Sequence, residues 1–460
     1  MPARRWWPVL VAVAAWLVLP ACAVTSSSGV SSRPEGPPLA PTPTPVALQE
    51  APATARFPVA VSGDGRYVVD ASGRPFLIAG EAAWSLLVQL KLDEVRAYAA
   101  DRRVRGFNSV LVNLVEHRYA DDAPRNAYGE APFRPGAAFS QPNPSYFDQA
   151  RQALEVLRDE GLVVFLVPAY LGYGGGDDGW TGELERAGEE ACAAYGRFVA
   201  QRFGDLDNVV WVAGGDFSPR AGSKADRCTA RIIETVHAAA PAALVTGHWA
   251  PETRATSQVS VAGLINLEGV YTYHAADAAC VAAIGSPRPV FLFETTYENE
   301  HGATARSLRL QYYRAALACP AGQFIGARPM WLFDDGWEAE LDSVGTRQAE
   351  VGASLLRSLD WWTLEWSPGV VLSSPGERIA AVGRGSGIGV FYFPSLAPGS
   401  TATIDGDRLG GRFTATFVDP STGANGEVIH AAGPGKVVVT APGKNAAGDT
   451  DWLVVTRPAP

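Results

Sequence analysis

Eight short apolar runs recur along the first three-quarters of the chain, with longer stretches of helical periodicity between them. They are PFLIAG (75–80), SVLVNL (109–114), LVVFLVP (162–168), NVVWVAGG (208–215), AALVTGH (242–248), LEGVYTY (267–273), PVFLFE (289–294) and RPMWLF (328–333). Most are continuous rather than alternating, the pattern of strands buried on both faces of a parallel sheet. LDEVRAYAADRRVRGF, YFDQARQALEVLRDEGL, ACAAYGRFVAQRFG and CTARIIETVHAAA repeat with the period of a helix, and SLRLQYYRAALACPAG predicts the helix between the seventh and eighth runs. Eight β/α units in roughly 300 residues predict a (β/α)8 TIM barrel over 57–357. An open, doubly wound α/β sheet competes, but no G-x-G-x-x-G follows the first run and no G-x-x-x-x-G-K-[ST] occurs.

Past about Asp360 the texture changes to short runs divided by Gly, Pro and Asp-Gly turns: RIAAVGRG, GIGVFYFP, TATIDGDRLGG, RFTATFVDPSTG, KVVVTAPG and DWLVVTRP. This predicts a small antiparallel β-sandwich over 358–460. The other end of the chain differs again. Arg4 and Arg5 precede an apolar segment from Trp6 to Leu19, then Pro20, Ala21 and Cys22. That is a signal-peptide layout over 1–22, too short for a membrane span of about 20 residues. LPAC is similar to a bacterial lipobox, in which Cys22 is lipidated and becomes the new N-terminus. An ordinary secretory peptide with an incidental cysteine is the alternative. Residues 23–56 are Ser, Pro, Thr and Ala with little to bury, a tether between membrane and body. The expected location is therefore outside the cytoplasm, as a cell-envelope lipoprotein or a secreted protein.

Export changes the reading of the cysteines. Cys192, Cys228, Cys280 and Cys319 permit three pairings in an oxidising compartment. Pairing of neighbours, 192 with 228 and 280 with 319, is the expectation, and four buried thiols the alternative. The net charge of −10 argues against nucleic acid as a partner. Thirteen tryptophans suit a surface that binds something flat and apolar. Nothing in the sequence sets an oligomer above a monomer.

In TIM barrels the reactive groups sit where strands end, at the C-terminal face. The first run exits at Glu81 and Trp84, the second at Asn113, Glu116 and His117, the third toward Tyr170, Tyr173 and Trp180. The fourth exits through Gly214-Gly215-Asp216, the fifth at His248-Trp249, the sixth at Tyr271, Tyr273 and His274. The seventh ends at Glu294, with Tyr297 and Glu298 close behind, and the eighth at Trp331, Asp334, Asp335 and Trp337. Two carboxylates among aromatics in one bowl are what glycoside hydrolysis needs: one protonates the leaving oxygen, the other attacks the anomeric carbon or activates water. Asp216 and Glu294, from strands four and seven, can face each other across a barrel mouth. Each has a plainer reading, Asp216 as a turn or helix cap and Glu294 as half of an ion pair. The substrate-binding candidates are Glu81, Trp84, Asn113, His117, Tyr170, Trp180, His248, Trp249, Tyr273, His274, Tyr297, Trp331 and Trp337.

GEAAW (80–84), RGFNSVLVN (105–113), NPSYFDQ (143–149), GLVVFLVP (161–168), NVVWVAGGD (208–216) and FETTYE (293–298) together resemble the apiosidase-like (DUF4038) glycoside hydrolases over about 62–355. The resemblance implies a retaining (β/α)8 barrel with Asp216 as acid/base, Glu294 as nucleophile, no cofactor, and terminal apiose or a related furanose of plant pectin as substrate. VDPSTG (418–423) and DWLVV (451–455) resemble the small β-domain that follows such barrels and carries a collagen-binding label. The chain departs from the family where Gly-Asp-Thr-Ala-Trp is usual and GEAAW stands here. It departs again in GQFIGARPMWLFDDGW, where the family is rich in Gly, Tyr and His.

Two other classes compete. A metal-dependent hydrolase would use His117, His248, His274 and His301, but no H-x-H or H-E-x-x-H is present and each histidine stands on a different element. Asp177-Asp178 among glycines reads as a solvated loop before a calcium site. A non-catalytic surface lipoprotein gripping polysaccharide or a protein matrix would suit the tether and second domain, against the presence of both carboxylates. Serine-hydrolase chemistry lacks its G-x-S-x-G.

Overall fold

The structure, a computed structural model, describes residues 57–429 and 435–459. The expected leader with Cys22 and the expected tether lie outside the described residues. A short antiparallel sheet of Pro58–Val61, Val68–Asp70 and Pro75–Phe76 comes first, and its Val68 and Phe76 join the apolar cluster that fills the barrel.

The barrel strands are β1 (Ile78–Ala82), β2 (Ser109–Asn113), β3 (Val163–Val167), β4 (Val209–Gly214), β5 (Val245–His248), β6 (Glu268–Tyr271), β7 (Val290–Glu294) and β8 (Gly322–Ile325). They run parallel in the order β5-β4-β3-β2-β1-β8-β7-β6, and a two-residue antiparallel strand, Thr253–Arg254, edges β6. The ring closes at β5 and β6, where Leu267 N–H donates to Val245 O at 3.1 Å and the Thr246 hydroxyl donates to Leu267 O at 3.0 Å. Every residue of these strands is buried, which is why their runs do not alternate.

A packed aromatic plug fills the barrel. Phe165, Phe291, Phe293 and Phe324 meet with ring centroids 4.8–6.1 Å apart. Gly80 on β1 leaves the room: a β-carbon there would stand 2.2 Å from the Phe324 ring. The plug is the rigid floor beneath the strand ends.

One strand differs from expectation. RPMWLF is not β8; the eighth strand is GQFI, at 322–325. Pro329 has no N–H for a ladder, and 328–333 forms turns. Met330 and Phe333 are apolar because they pack into the main core, not because they pair.

The C-terminal part is a two-layer antiparallel sandwich. Its strands are β9 (Leu364–Trp366), β10 (Val371–Ser373), β11 (Ile379–Gly383), β12 (Gly389–Phe393), β13 (Thr401–Asp405), β14 (Phe413–Val418), β15 (Asn425–Ile429), β16 (Lys436–Thr440) and β17 (Trp452–Pro458). One sheet has the order β9-β11-β12-β17-β14-β15 and the other β10-β13-β16. Phe391, Phe393, Phe413, Phe417, Val439 and Trp452 fill the space between them.

The sandwich is joined to the barrel through the helix Ala305–Ala318 that precedes β8. Arg309 on that helix is 2% exposed and pairs with Asp451 through Nε and Nη2, each at 2.8 Å. Its other nitrogen contacts reach Asp449 at 2.7 Å and Gln348 at 2.8 Å. Burial pushes the Asp451 carboxyl up, but the bonds from Arg309, Tyr392 and Asn445 outweigh it and hold the group below the usual range. Tyr313, one turn further along the helix, donates to Pro420 O at 3.2 Å.

Candidate active site

Asp216 stands where β4 gives way to its loop. Gly214, Gly215 and Asp216 have φ of 89°, 139° and 60°, three left-handed residues in succession. A β-carbon on Gly214 would sit 2.3 Å from the Trp249 ring, and one on Gly215 2.8 Å from Leu171 N. Conformation and space both demand glycine, and Asp is among the few side chains that tolerate the third position. The turn serves no helix: the next one, Lys224–Ala239, is capped by Ser223. Instead it aims the carboxylate inward, where Tyr170 donates to Oδ2 at 3.1 Å and Tyr271 to Oδ1 at 3.2 Å. Burial, then the negative charge of Glu294, push the Asp216 carboxyl up to about 7, against the two tyrosine bonds and the His248 ring.

Glu294 ends β7 and is 7% exposed. It pairs in register with Tyr271 on β6, the residue whose hydroxyl reaches Asp216. Its Oε2 lies 2.7 Å from His248 Nε2. His248, from the end of β5, is stacked on Trp84 at 5.4 Å and 8°, and on Phe293 at 4.7 Å and 22°. The Tyr297 hydroxyl accepts Trp84 Nε1–H at 2.9 Å, and burial, then the charge of Glu294, holds that phenol well above its ordinary pKa. The two acids thus have contrasting surroundings: Asp216 among phenols, Glu294 against an imidazole and a phenol.

Both acids line an open cleft of about 660 Å³ at the strand ends. Of the residues expected to bind substrate, Trp84, Asn113, Tyr170, His248, Tyr273, Tyr297 and Trp331 face it. Three residues past Asn113 stands Glu116, a fully buried acid that accepts from the Ser85 hydroxyl at 2.7 Å and Ala120 N–H at 3.0 Å. Burial pushes Glu116 up to about 7.

The other expected residues lie elsewhere. Glu81 alternates with Gly80 on β1, so when the Gly80 side meets the barrel plug Glu81 points outward. There it is fully buried, 2.9 Å from Arg102 Nη1 and 2.8 Å from the Tyr98 hydroxyl, a structural ion pair. Trp180 is wedged among Phe133, Phe139 and the edge of His117. His117 turns its Nε2 to Glu183 at 3.5 Å. Trp249, 1% exposed, donates to Ala255 O, and Trp337 packs on Tyr98 and Phe333. His274 is turned into solvent, its side chain 83% exposed. These residues follow strand ends in sequence, but strand alternation and loop packing turn them away from the mouth.

Three lining residues escaped the sequence reading: Tyr119, Thr296 and Glu300. Glu300 accepts Trp331 Nε1–H at 2.8 Å. Its signal was available in YENE, six residues past Glu294. Tyr119 follows His117 by two, in a loop that was read only to its first histidine. Tyr173 and His301 also line the cleft.

Disulfides join Cys192 to Cys228 and Cys280 to Cys319, closing separations of 36 and 39 residues on the helices around the barrel. Among the described residues no group of three or more His, Cys, Asp or Glu side chains is placed to hold a metal ion.

Residues 62–363 match the family model for the apiosidase-like catalytic domain. No curated protein matches the chain. A solved structure titled only as a glycoside hydrolase is 20% identical, with a TM-score of 0.75, covering 88% of this chain and 97% of its own. A glycoside hydrolase family 5 protein from Bacteroides vulgatus is 20% identical with a TM-score of 0.75, covering 87% and 93%. At that identity the likeness is one of fold.

Proposed function

Since the chain belongs to the apiosidase-like family and is a glycoside hydrolase, we propose that it cleaves by a retaining mechanism with Asp216 as acid/base and Glu294 as nucleophile. The observation that carries the assignment is the pair's opposite surroundings within one cleft. With its pKa near 7, Asp216 keeps a proton under mildly acidic conditions, as a general acid must. Glu294 faces the same cleft with its Oε2 2.7 Å from His248 Nε2, an imidazole beside the carboxylate as suits a nucleophile.

In the first step Asp216 gives its proton to the glycosidic oxygen while a Glu294 oxygen bonds to the anomeric carbon and the carbon–oxygen bond of the leaving group breaks. In the second, Asp216 takes a proton from water, whose oxygen displaces Glu294 from the anomeric carbon. Trp84, Tyr273 and Trp331 offer flat apolar walls to sugar rings, and Asn113 a buried amide to orient a hydroxyl.

We assign as substrate a terminal apiose, or a similar furanose, on a plant-type pectic glycan, which the family resemblance favours. The enzyme acts outside the cytoplasm, anchored by a lipid at Cys22. The sandwich serves as a buttress, supported by the buried Arg309–Asp451 pair that ties it to the barrel.

The test is incubation of wild type, Glu294→Gln and Asp216→Asn with aryl glycosides and pectic or hemicellulosic oligosaccharides. Wild type releases sugar, and Glu294→Gln loses about a thousandfold or more. Release of sugar by both variants at the wild-type rate rules the assignment out.

A further inference from the structure

Asp216 is bracketed by phenols, and one of them continues into a second carboxylate. The Tyr170 hydroxyl, which donates to Asp216 Oδ2, stands 3.4 Å from the Tyr119 hydroxyl. Tyr119 in turn donates to Asp178 Oδ2 at 2.5 Å. Asp178 belongs to the glycine-rich loop after β3, and its Oδ1 is shut from solvent without a hydrogen-bond partner among the described residues. Burial holds both phenols protonated far above ordinary pH, with the charge of Asp216 adding to it at Tyr170 and the Asp178 bond at Tyr119.

Each phenol has one proton, and here both protons point at carboxylates. The two phenol oxygens then have nothing to share, which accounts for a spacing longer than an ordinary O–H···O bond of about 2.7–2.8 Å. This arrangement fits an ionised Asp216. A protonated Asp216 has a donor of its own on one oxygen, and a phenol aimed at that oxygen must turn away. Tyr170 has somewhere to turn: Tyr119, whose proton is already committed to Asp178, presents free lone pairs.

We propose that Tyr119 and Asp178 form a positioning arm that lets the Tyr170 hydroxyl alternate between Asp216 and Tyr119, stabilising the protonated state of Asp216 that proton donation requires. In that state Asp216 donates to Tyr170, Tyr170 to Tyr119, and Tyr119 to Asp178. When Asp216 yields its proton, the Tyr170 O–H swings back to Oδ2. No proton travels along the arm, and no bond to carbon changes. The arm touches no reacting atom; it acts on Asp216 through Tyr170.

The other groups that face Asp216 do not serve this purpose. Glu294 on β7 opposes its ionisation by charge, and His248 on β5 favours it. Tyr271 on β6 has its own neighbour, the Tyr273 hydroxyl at 2.7 Å, so it offers a second, shorter chain that ends on a phenol and not on a carboxylate. Among the described residues the β3 side alone carries such a chain on to a second carboxyl group, Asp178, which fixes the direction of the Tyr119 hydroxyl.

The role of Asp216 as acid/base comes from the proposed function, but the test is made on the free enzyme and needs no substrate. Protein labelled with 13C at the aspartate carboxyls is titrated by NMR, with Asp216→Asn identifying the Asp216 signal. In wild type that signal titrates near pH 7. In Tyr119→Phe, which keeps the ring and its packing on Trp331 and Tyr170, the midpoint falls by at least about half a pH unit, a threefold change in proton affinity. Asp178→Asn lowers it as well and decides the matter if the phenylalanine variant does not fold. A midpoint that stays within half a unit of wild type, or rises, in Tyr119→Phe overturns the arm, since a purely packing role would leave the titration in place. Loss of catalysis by Asp216→Asn is a separate result, so failure of the arm and failure of the acid/base reading are told apart.

Discussion

Replacing the proposed acid should make the protein more stable at neutral pH, not less. Asp216 has a folded-state pKa of about 7, above the ordinary aspartate value of about 3.9. Between those values the native protein keeps a proton that the unfolded chain has lost. The stability that proton lends is therefore complete below about pH 4 and is lost as pH rises through about 7. Asp216→Asn removes the titrating group, keeps an acceptor for one tyrosine, and suits φ of 60°, where Asn is among the best-tolerated residues. Each pH unit is worth about 1.4 kcal/mol, so the ideal gain of the variant over wild type between pH 5 and pH 7 is about 3 kcal/mol. Asp216 faces an open cleft, and water screening reduces that to about 1–2 kcal/mol. At about 2 °C per kcal/mol for a large domain, the difference in Tm should widen by about 2–4 °C between pH 5 and pH 8. Thermal unfolding of both proteins across that range, followed by tryptophan fluorescence, measures it. A Tm difference that is constant with pH, or that moves against the variant as pH rises, refutes the claim that burial and Glu294 hold this acid protonated.

Activity should follow the same group: kcat/KM falls as pH rises through about 7, because the proton-bearing form of Asp216 is lost, and a flat profile from pH 5 to 9 contradicts this. Arg309→Ala leaves Asp451 buried and without its cation, which should cost about 3–5 kcal/mol in chemical denaturation; a loss below about 1 kcal/mol would show the pair to be dispensable. Gly215→Ala places a β-carbon 2.8 Å from Leu171 N at φ of 139° and should cost about 2–4 kcal/mol while displacing Asp216, read as a joint fall in Tm and kcat. Reduction of the two disulfides should each remove about 3–4 kcal/mol, given closed separations of 36 and 39 residues, and an unchanged melting curve in reductant would count against them.

Seven of the eight barrel strands were legible because a strand buried on both faces leaves a continuous apolar run, as in VVFLV and VFLFE. The eighth was misplaced because GQFI is short and weakly apolar, while RPMWLF is strongly apolar for reasons of core packing. Strand ends also located Asp216 and Glu294, each presented to the cleft where a buried run stops. The cleft walls were less legible. Glu81 and Trp249 stand at strand ends too, yet each is turned away, one to Arg102 and the other under Gly214. Sequence position locates a residue along a strand, whereas its facing depends on pleat and on the loop that follows. The Tyr119–Asp178 contact joins loops after different strands, and no local pattern announces such a meeting.

The most direct test of the proposed catalytic pair is to trap the covalent intermediate it would form. The enzyme is incubated with the 2,4-dinitrophenyl 2-deoxy-2-fluoroglycoside of the sugar it releases fastest, then digested and analysed by mass spectrometry. The account predicts one glycosyl adduct per chain, on the peptide carrying Glu294, absent from Glu294→Gln. An adduct on another residue, or turnover of the sugar with inversion and no adduct, would contradict it.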